Sequence, residues 1–234
     1  MRLYKDINFQ LTNEEERKNF DTIFSMHVEN ENIFIVKNLA VSQNNFKNRS
    51  FYKYTNQLKL CFLGRISPVK NLDFALAVLN EIGYDVSLDI FGPIENEDYW
   101  SECKRLIKKL PRNIVINYNG SLNYNEVKSI FLKFHFLFLP TFGENFGHSI
   151  FESLSMGCPV LISNRTPWRD LQKDKCGFDL PLPNKSKFCD AINYLYKMDN
   201  CEYKEWSHAS HNRAMKYASN EKTIKEYFYM FDQI

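Results

Sequence analysis

The sequence predicts an α/β fold built on a doubly wound parallel sheet, and three observations predict it. Between residues 58 and 196, short apolar runs alternate with longer segments of helical period. The runs Leu60-Cys-Phe-Leu63 and Phe136-Leu-Phe-Leu139 are apolar on both faces, as strands must be when helices cover both sides of a sheet. The residues directly after each run are small or polar, and ligands of such sheets sit beyond the carboxyl ends of the strands. The layer arrangement is therefore Rossmann-like.

In order, the expected elements are strand 58–63, helix 72–82, strand 87–91, helix 98–109, strand 114–118 and helix 123–131. Strand 136–139, helix 146–156, strand 159–163 and a helix over 186–196 follow. The loops expected to share one crevice are Gly64-Arg-Ile-Ser-Pro-Val-Lys70, Gly92-Pro93, Gly120-Ser-Leu122, 140–148 and Asn164-Arg-Thr-Pro-Trp168. Before this core, Thr12 with Glu15 reads as a capping box opening a helix over 12–20, and Ile33-Phe-Ile-Val36 reads as a short strand. Residues 38–57, rich in Asn, Ser, Lys and Tyr without period, read as a linker or exposed loop. The tail 201–232 carries two helical stretches with Tyr203, Trp206, Met215, Ile224 and Phe228 among the residues to be covered. Three parts follow: an extension over 1–56, a core over 57–200 and packing helices over 201–234.

A chain of 234 residues, 44% hydrophobic and 25% charged, has the composition of an ordinary globular protein. Thirty basic against 28 acidic residues leaves a formal charge of +2, so nucleic acid is not expected as a partner. The six cysteines are scattered without a CxxC pair and are read as free thiols of a cytosolic protein. Neither a signal peptide nor an apolar stretch of about 20 residues stands out, so neither export nor a membrane span is expected. His27, His135, His208 and His211 show no zinc-ligand spacing.

The chemistry concentrates in two loops. Arg65 and Lys70 share one strand-to-helix loop, where two cations and the positive end of the following helix converge on one spot suited to a pyrophosphate. Taken alone, they fit two solvated surface cations better. In Thr141-Phe-Gly-Glu-Asn-Phe-Gly-His-Ser-Ile-Phe-Glu152, two glutamates eight positions apart flank a helix start. Glu152, one to two turns into that helix, is placed to accept two hydroxyls of a ribose diol. Glu144 precedes it, beside the outward-pointing backbone amides of Asn145, Phe146, Gly147 and His148. An isolated pair at this spacing also arises as a dipole partner and an exposed helix charge.

As an ordered set, these pieces resemble the C-terminal, nucleotide-sugar-binding domain of family 4 retaining glycosyltransferases of the GT-B fold. The resemblance spans roughly 57–232 and rests on Phe62-Leu-Gly-Arg65 with Lys70-Asn71, Phe91-Gly92, Tyr118-Asn-Gly-Ser121, Pro140-Thr-Phe-Gly-Glu144, Phe146-Gly147 and Glu152-Ser-Leu-Ser-Met-Gly-Cys-Pro-Val160. Asn71 stands where the family usually has glycine.

The resemblance implies a metal-independent transfer without cofactor, in which Arg65 and Lys70 hold the donor diphosphate and stabilise the departing nucleotide. It implies Glu152 on the ribose and Glu144 on the donor sugar near the anomeric centre. The amides of Phe146, Gly147 and His148 would face sugar or phosphate oxygens, and Gly120 to Leu122 would line the base pocket, with Gly64 and Gly92 on the surrounding loops. His148 is expected to contribute backbone and packing rather than chemistry. A complete enzyme of this fold has two such domains, and 1–56 are too few residues for the first, so this chain alone is expected to bind donor with weak or no catalysis. The Lys-, Asn-, Ile- and Phe-rich usage and Ser163-Asn-Arg-Thr-Pro-Trp-Arg-Asp170 resemble bacterial enzymes of O-antigen and surface-polysaccharide assembly. That implies a UDP-linked N-acetylhexosamine or hexose as donor, N-acetylgalactosamine among them. The acceptor would be a lipid-diphosphate-linked glycan held with the other domain, at the inner face of the cytoplasmic membrane. A GT-B epimerase, which would show more acids and histidines, and a non-catalytic nucleotide-sugar-binding module are the competing readings.

Overall fold

In the computed structural model the described residues are 7–24, 28, 32–39 and 52–232. They fall into two compact units, one formed by the larger central part of the chain, 43–215, and one by the two ends, 1–42 with 216–234.

The central unit holds β3 (Leu58–Leu63), α2 (Leu72–Leu79), β4 (Val86–Phe91), α3 (Glu97–Ile107), β5 (Ile114–Tyr118) and α4 (Tyr124–Ile130), then β6 (Phe136–Leu139), α5 (His148–Ser155), β7 (Val160–Ser163), β8 (Gly177–Leu180) and α6 (Lys185–Lys197). Within the terminal unit lie β1 (Phe9–Leu11), α1 (Glu14–Phe24), β2 (Ile33–Ile35) and α8 (Glu221–Asp232); α7 (Asn200–Ala218) falls almost wholly in the central unit. The six central strands are all parallel, in the order β5-β4-β3-β6-β7-β8. Counted from the first strand of the unit this is 3-2-1-4-5-6, the Rossmann order. The order reverses between β3 and β6, where Leu60 pairs with Phe136 and Cys61 with Leu137.

The double-sided apolarity of the strands is explained by their burial. Leu60, Cys61, Phe62, Phe136, Leu137, Phe138 and Leu139 are all fully buried, each large side chain contributing about 1.5–3 kcal/mol by leaving water. Helix starts follow local chemistry. Asn96 caps α3 by accepting from the Tyr99 amide at 2.8 Å, and Asn123 with Glu126 forms the capping box of α4. On α7, Tyr203 donates to the His135 carbonyl at 3.1 Å and Ser207 to the Gly157 carbonyl at 2.7 Å, so this helix closes over the β6 and β7 side of the unit.

Three expectations are corrected. Residues 177–180 form an unforeseen edge strand, since Gly-Phe-Asp-Leu is too short and too mixed to show a period. Helix α5 starts at His148 rather than Phe146, because Gly147 is left-handed at φ 80°, ψ 66°. In the terminal unit the helix opens on Asn13, one residue later than the expected Thr12. The Glu16 amide donates to Asn13 Oδ1 at 2.8 Å while the Glu16 carboxylate accepts from the Thr12 amide at 2.6 Å.

That unit also contains β1, likewise unforeseen, paired in parallel with β2. Of the expected linker 38–57, residues 40–51 lie outside the described residues, as does His27. Its last part is fixed by Lys53, whose fully buried ammonium donates to the carbonyls of Tyr54, Tyr196 and Met198 at 3.1, 3.3 and 3.2 Å. Lys53 thereby satisfies orphan carbonyls at the end of α6, although burial lowers its pKa from 10.5 to about 8.

Candidate active site

Two loops flank the point where the strand order reverses: 64–71 after β3 and 140–147 after β6. They are bound to each other through backbone and side chain. The Phe142 amide donates to the Val69 carbonyl at 2.8 Å, Thr141 Oγ1 to the same carbonyl at 3.0 Å, and Asn71 Nδ2 to the Pro140 carbonyl at 2.8 Å. Asn71 is buried and left-handed, at φ 60°, ψ 43°. Asparagine tolerates that conformation better than other side chains, which is how it replaces a glycine here while adding a hydrogen bond across the loops.

Across this junction Lys70 Nζ and Glu144 Oε1 stand 2.6 Å apart, with only 15% and 11% of their side chains exposed. The aliphatic stem of Lys70 lies over Gly64. Two residues 74 positions apart in sequence are thus one charge-assisted contact, sheltered from solvent.

Neighbouring loops complete the edge. The Glu144 amide donates to the Arg165 carbonyl at 3.2 Å, and Ser163 Oγ donates to the Thr141 carbonyl. Trp168 Nε1 donates to the Phe146 carbonyl at 2.7 Å, and Trp168, Phe146 and Phe151 pack ring against ring. Phe146 is therefore a buried support with its side chain in the core. His148 lies exposed on the first turn of α5, its ring centroid 4.8 Å from that of Phe146. Among the described residues, the amides of His148 and Ser149 donate to no backbone carbonyl, as the first turn of a helix requires. Asn145 is exposed beside them.

Gly92 occupies φ 138°, where an added Cβ would stand 2.0 Å from the Gly64 carbonyl oxygen. Its amide donates to the Gly120 carbonyl at 2.8 Å, which links the 120–122 loop, with Ser121 exposed and Leu122 half-buried, to the same sheet edge.

Not every expected residue joins the Lys70–Glu144 pair. Arg65 Nη1 contacts Glu95 Oε1 at 2.8 Å, with side chains 61% and 43% exposed. Glu152 is half-buried on α5, and its carboxyl is pushed above the ordinary range by burial, while Lys128 of α4 pulls the other way. The residues not singled out beforehand are Glu95 and Lys128; Trp168 was placed on a crevice loop without a role of its own. Glu95 was within reach of the rule that led to the others, since it lies three residues after Gly92 in a post-strand loop; Lys128 sits mid-helix and carries no such signal.

The raised Glu152 has a consequence for stability. A carboxyl whose folded pKa lies above its unfolded value of 4.5 favours the folded state at low pH. That contribution is lost as the pH rises through the folded pKa. At neutral pH the buried charge is a cost, so Glu152→Gln should raise Tm at pH 7, with the gain shrinking toward pH 4. Thermal melts at the two pH values measure this, and a lower Tm at pH 7 contradicts it.

Among the described residues no group of three or more His, Cys, Asp or Glu side chains is disposed to hold a metal ion, and no helix is long and apolar enough to cross a membrane. All six cysteines are free thiols. A groove of about 750 Å³ lies in the terminal unit, between β2 and α8. It brings no acid, base or cation of the loops described above together, so the convergent polar groups rather than the cavity volume mark the candidate site.

Solved structures that share this fold include several bacterial proteins. A mutant of Staphylococcus aureus TarM, in complex with fondaparinux, alpha-GlcNAc-glycerol and UDP, is 19% identical with a TM-score of 0.74, over 96% of this chain and 43% of that one. HepE of Anabaena, in complex with UDP and glucose, is 12% identical with a TM-score of 0.73, over 97% and 63%. The catalytic domain of the cholesterol-alpha-glucosyltransferase from Helicobacter pylori is 20% identical with a TM-score of 0.58, over 68% and 98%. The chain thus spans about two fifths of TarM and under two thirds of HepE. At these identities the likeness establishes the fold, that of a GT-B glycosyltransferase domain. The sequence profile of the family "Glycosyl transferases group 1" matches residues 43–217, which include both loops of the Lys70–Glu144 pair, and the chain belongs to that family.

Proposed function

We propose that the chain is the donor-binding half of a retaining, metal-independent sugar transferase that takes its sugar from a UDP-linked donor. The observation that carries this is the sheltered Lys70–Glu144 contact on the two loops flanking the reversal of strand order, the place where open α/β sheets bind nucleotides. Supporting it, TarM and HepE were crystallised with UDP.

In this reading Lys70 and Arg65 hold the diphosphate. When the bond from the anomeric carbon to the diphosphate oxygen breaks, the electron pair leaves with the nucleotide, the acceptor hydroxyl oxygen bonds to the anomeric carbon on the same face and passes its proton to the departing diphosphate, and the two cations stabilise the growing charge. On donor binding Lys70 exchanges its protein carboxylate for a phosphate, which frees Glu144 to accept from the hydroxyls of the donor sugar. Glu152 takes the ribose hydroxyls, the amides of Phe146, Gly147 and His148 leading into α5 face phosphate or sugar oxygens, and Gly120 to Leu122 line the base. The donor sugar is a hexose or N-acetylhexosamine, such as N-acetylgalactosamine. The acceptor is a lipid-diphosphate-linked glycan of a surface polysaccharide such as O-antigen, met at the inner face of the cytoplasmic membrane through a second domain.

Titration calorimetry of the chain with UDP, GDP and their sugars tests the reading. Binding of UDP and UDP-sugars in preference to the guanosine compounds is expected. Absence of binding by any nucleotide removes the donor-site assignment.

A further inference from the structure

Glu95 is not among the residues to which the donor reading gives a task, yet it holds the guanidinium on which that reading depends. The two carriers are locked together by backbone. The Ile66 amide donates to the Pro93 carbonyl at 2.8 Å, and the Glu95 and Asn96 amides both donate to the Ile66 carbonyl at 3.2 Å. Directly after this loop Asn96 caps α3, so Glu95 is fixed between a helix start and the Arg65 loop. From that backbone position its carboxylate accepts from Arg65 Nη1 at 2.8 Å.

Both side chains are well exposed, and ion pairs of this kind contribute little. Such a contact is strong enough to orient a guanidinium and weak enough to yield to a ligand with several charges. A diphosphate can displace one carboxylate, because it brings more negative charge and can engage Arg65 and Lys70 together. A monophosphate brings less charge and is too short to engage both cations.

Resting on the donor reading above, we propose that Glu95 is the resident counter-anion of Arg65: it occupies the guanidinium until a diphosphate displaces it, and so sets both the donor affinity and the preference for diphosphates over smaller anions. Removing its charge makes the site bind anions more tightly and select among them less.

The test compares wild type with Glu95→Gln, and with Glu97→Gln as a control for general charge, since Glu97 is an exposed acid of the first turn of α3. UDP, UMP and inorganic pyrophosphate are titrated into each at low and at high salt. Glu95→Gln should bind UDP and pyrophosphate about two- to fivefold more tightly at low salt. Its gain for UMP should be larger, so that the UDP to UMP preference narrows, and an unchanged preference overturns the claim that Glu95 sets it. The gain should fade near about 0.5 M salt, where exposed charges are screened. In an Arg65→Ala background it should fall to the level of Glu97→Gln.

Unchanged or weaker binding by Glu95→Gln overturns the proposal, as does a gain that Glu97→Gln matches or that survives without Arg65. Pyrophosphate binding without UDP binding in wild type contradicts the nucleotide reading alone and leaves the Glu95 comparison readable on pyrophosphate. Failure to bind either overturns both.

Discussion

Lys70→Ala should weaken UDP binding by about 1–3 kcal/mol, or about five- to 150-fold, the range for losing one charged contact. Arg65→Ala should weaken it less, because that guanidinium is mostly exposed and its contacts are screened. Lys70→Ala should also lower thermal stability, since it leaves Glu144 with 11% exposure and without the ammonium 2.6 Å away. Losing one partner of a sheltered pair costs more than losing both. The double substitution Lys70→Met with Glu144→Gln separates the two effects: Tm should recover relative to Lys70→Ala, while UDP affinity stays low. Calorimetric titration and thermal melts of the three variants provide the measurements. If the double variant regains UDP affinity, the pair is structural and the assignment of Lys70 to the diphosphate is wrong.

Gly92→Ala should cost about 3 kcal/mol of folding stability or more, by combining an unfavourable φ with a steric conflict. The added methyl would meet the Gly64 carbonyl oxygen at 2.0 Å and carbon at 2.7 Å, both of them backbone atoms that no rotamer change can move. Relief would require the β3 and β4 loops to part. That would break the Gly64 amide to Phe91 carbonyl bond at 3.1 Å, the Gly92 amide to Gly120 carbonyl bond at 2.8 Å, and the Tyr118 hydroxyl to Gly92 carbonyl bond at 2.9 Å. Gly120→Ala is the matched control. Gly120 also has a positive φ, of 72°, but no atom lies within 4 Å of an added Cβ, so only the backbone cost of about 1 kcal/mol applies. Denaturant unfolding of the two variants should differ by at least twofold in ΔΔG; equal losses would mean that the close approach of the two loops does not matter.

Much of the fold was legible because its signals are local. Strands such as 60–63 and 136–139 announce themselves by continuous apolarity, and Asn123 with Glu126 announces a helix start within four residues. β8 was not legible, since four residues of mixed character become a strand only by pairing with β7. The displaced helix start shows the same limit at finer scale: Thr12–Glu15 and Asn13–Glu16 have equal spacing, and only the path of the helix decides between them.

For the site, the sequence by itself proposed the cast: cations at 65 and 70, a carboxylate at 144 and glycines at 64, 92 and 147 in loops after strands, with a second carboxylate at 152 in the helix that follows. The family, and with it the donor reading, rests on that ordered set. What only the tertiary structure decided is who stands with whom. Strand order brings the β3 and β6 loops side by side and joins Lys70 to Glu144, whereas the β4 loop gives Glu95 to Arg65. Spacing along a chain fixes which face or loop a residue occupies, but contacts between loops depend on the order in which strands pair, and that order is settled by burial over the whole sheet rather than by any short stretch of sequence.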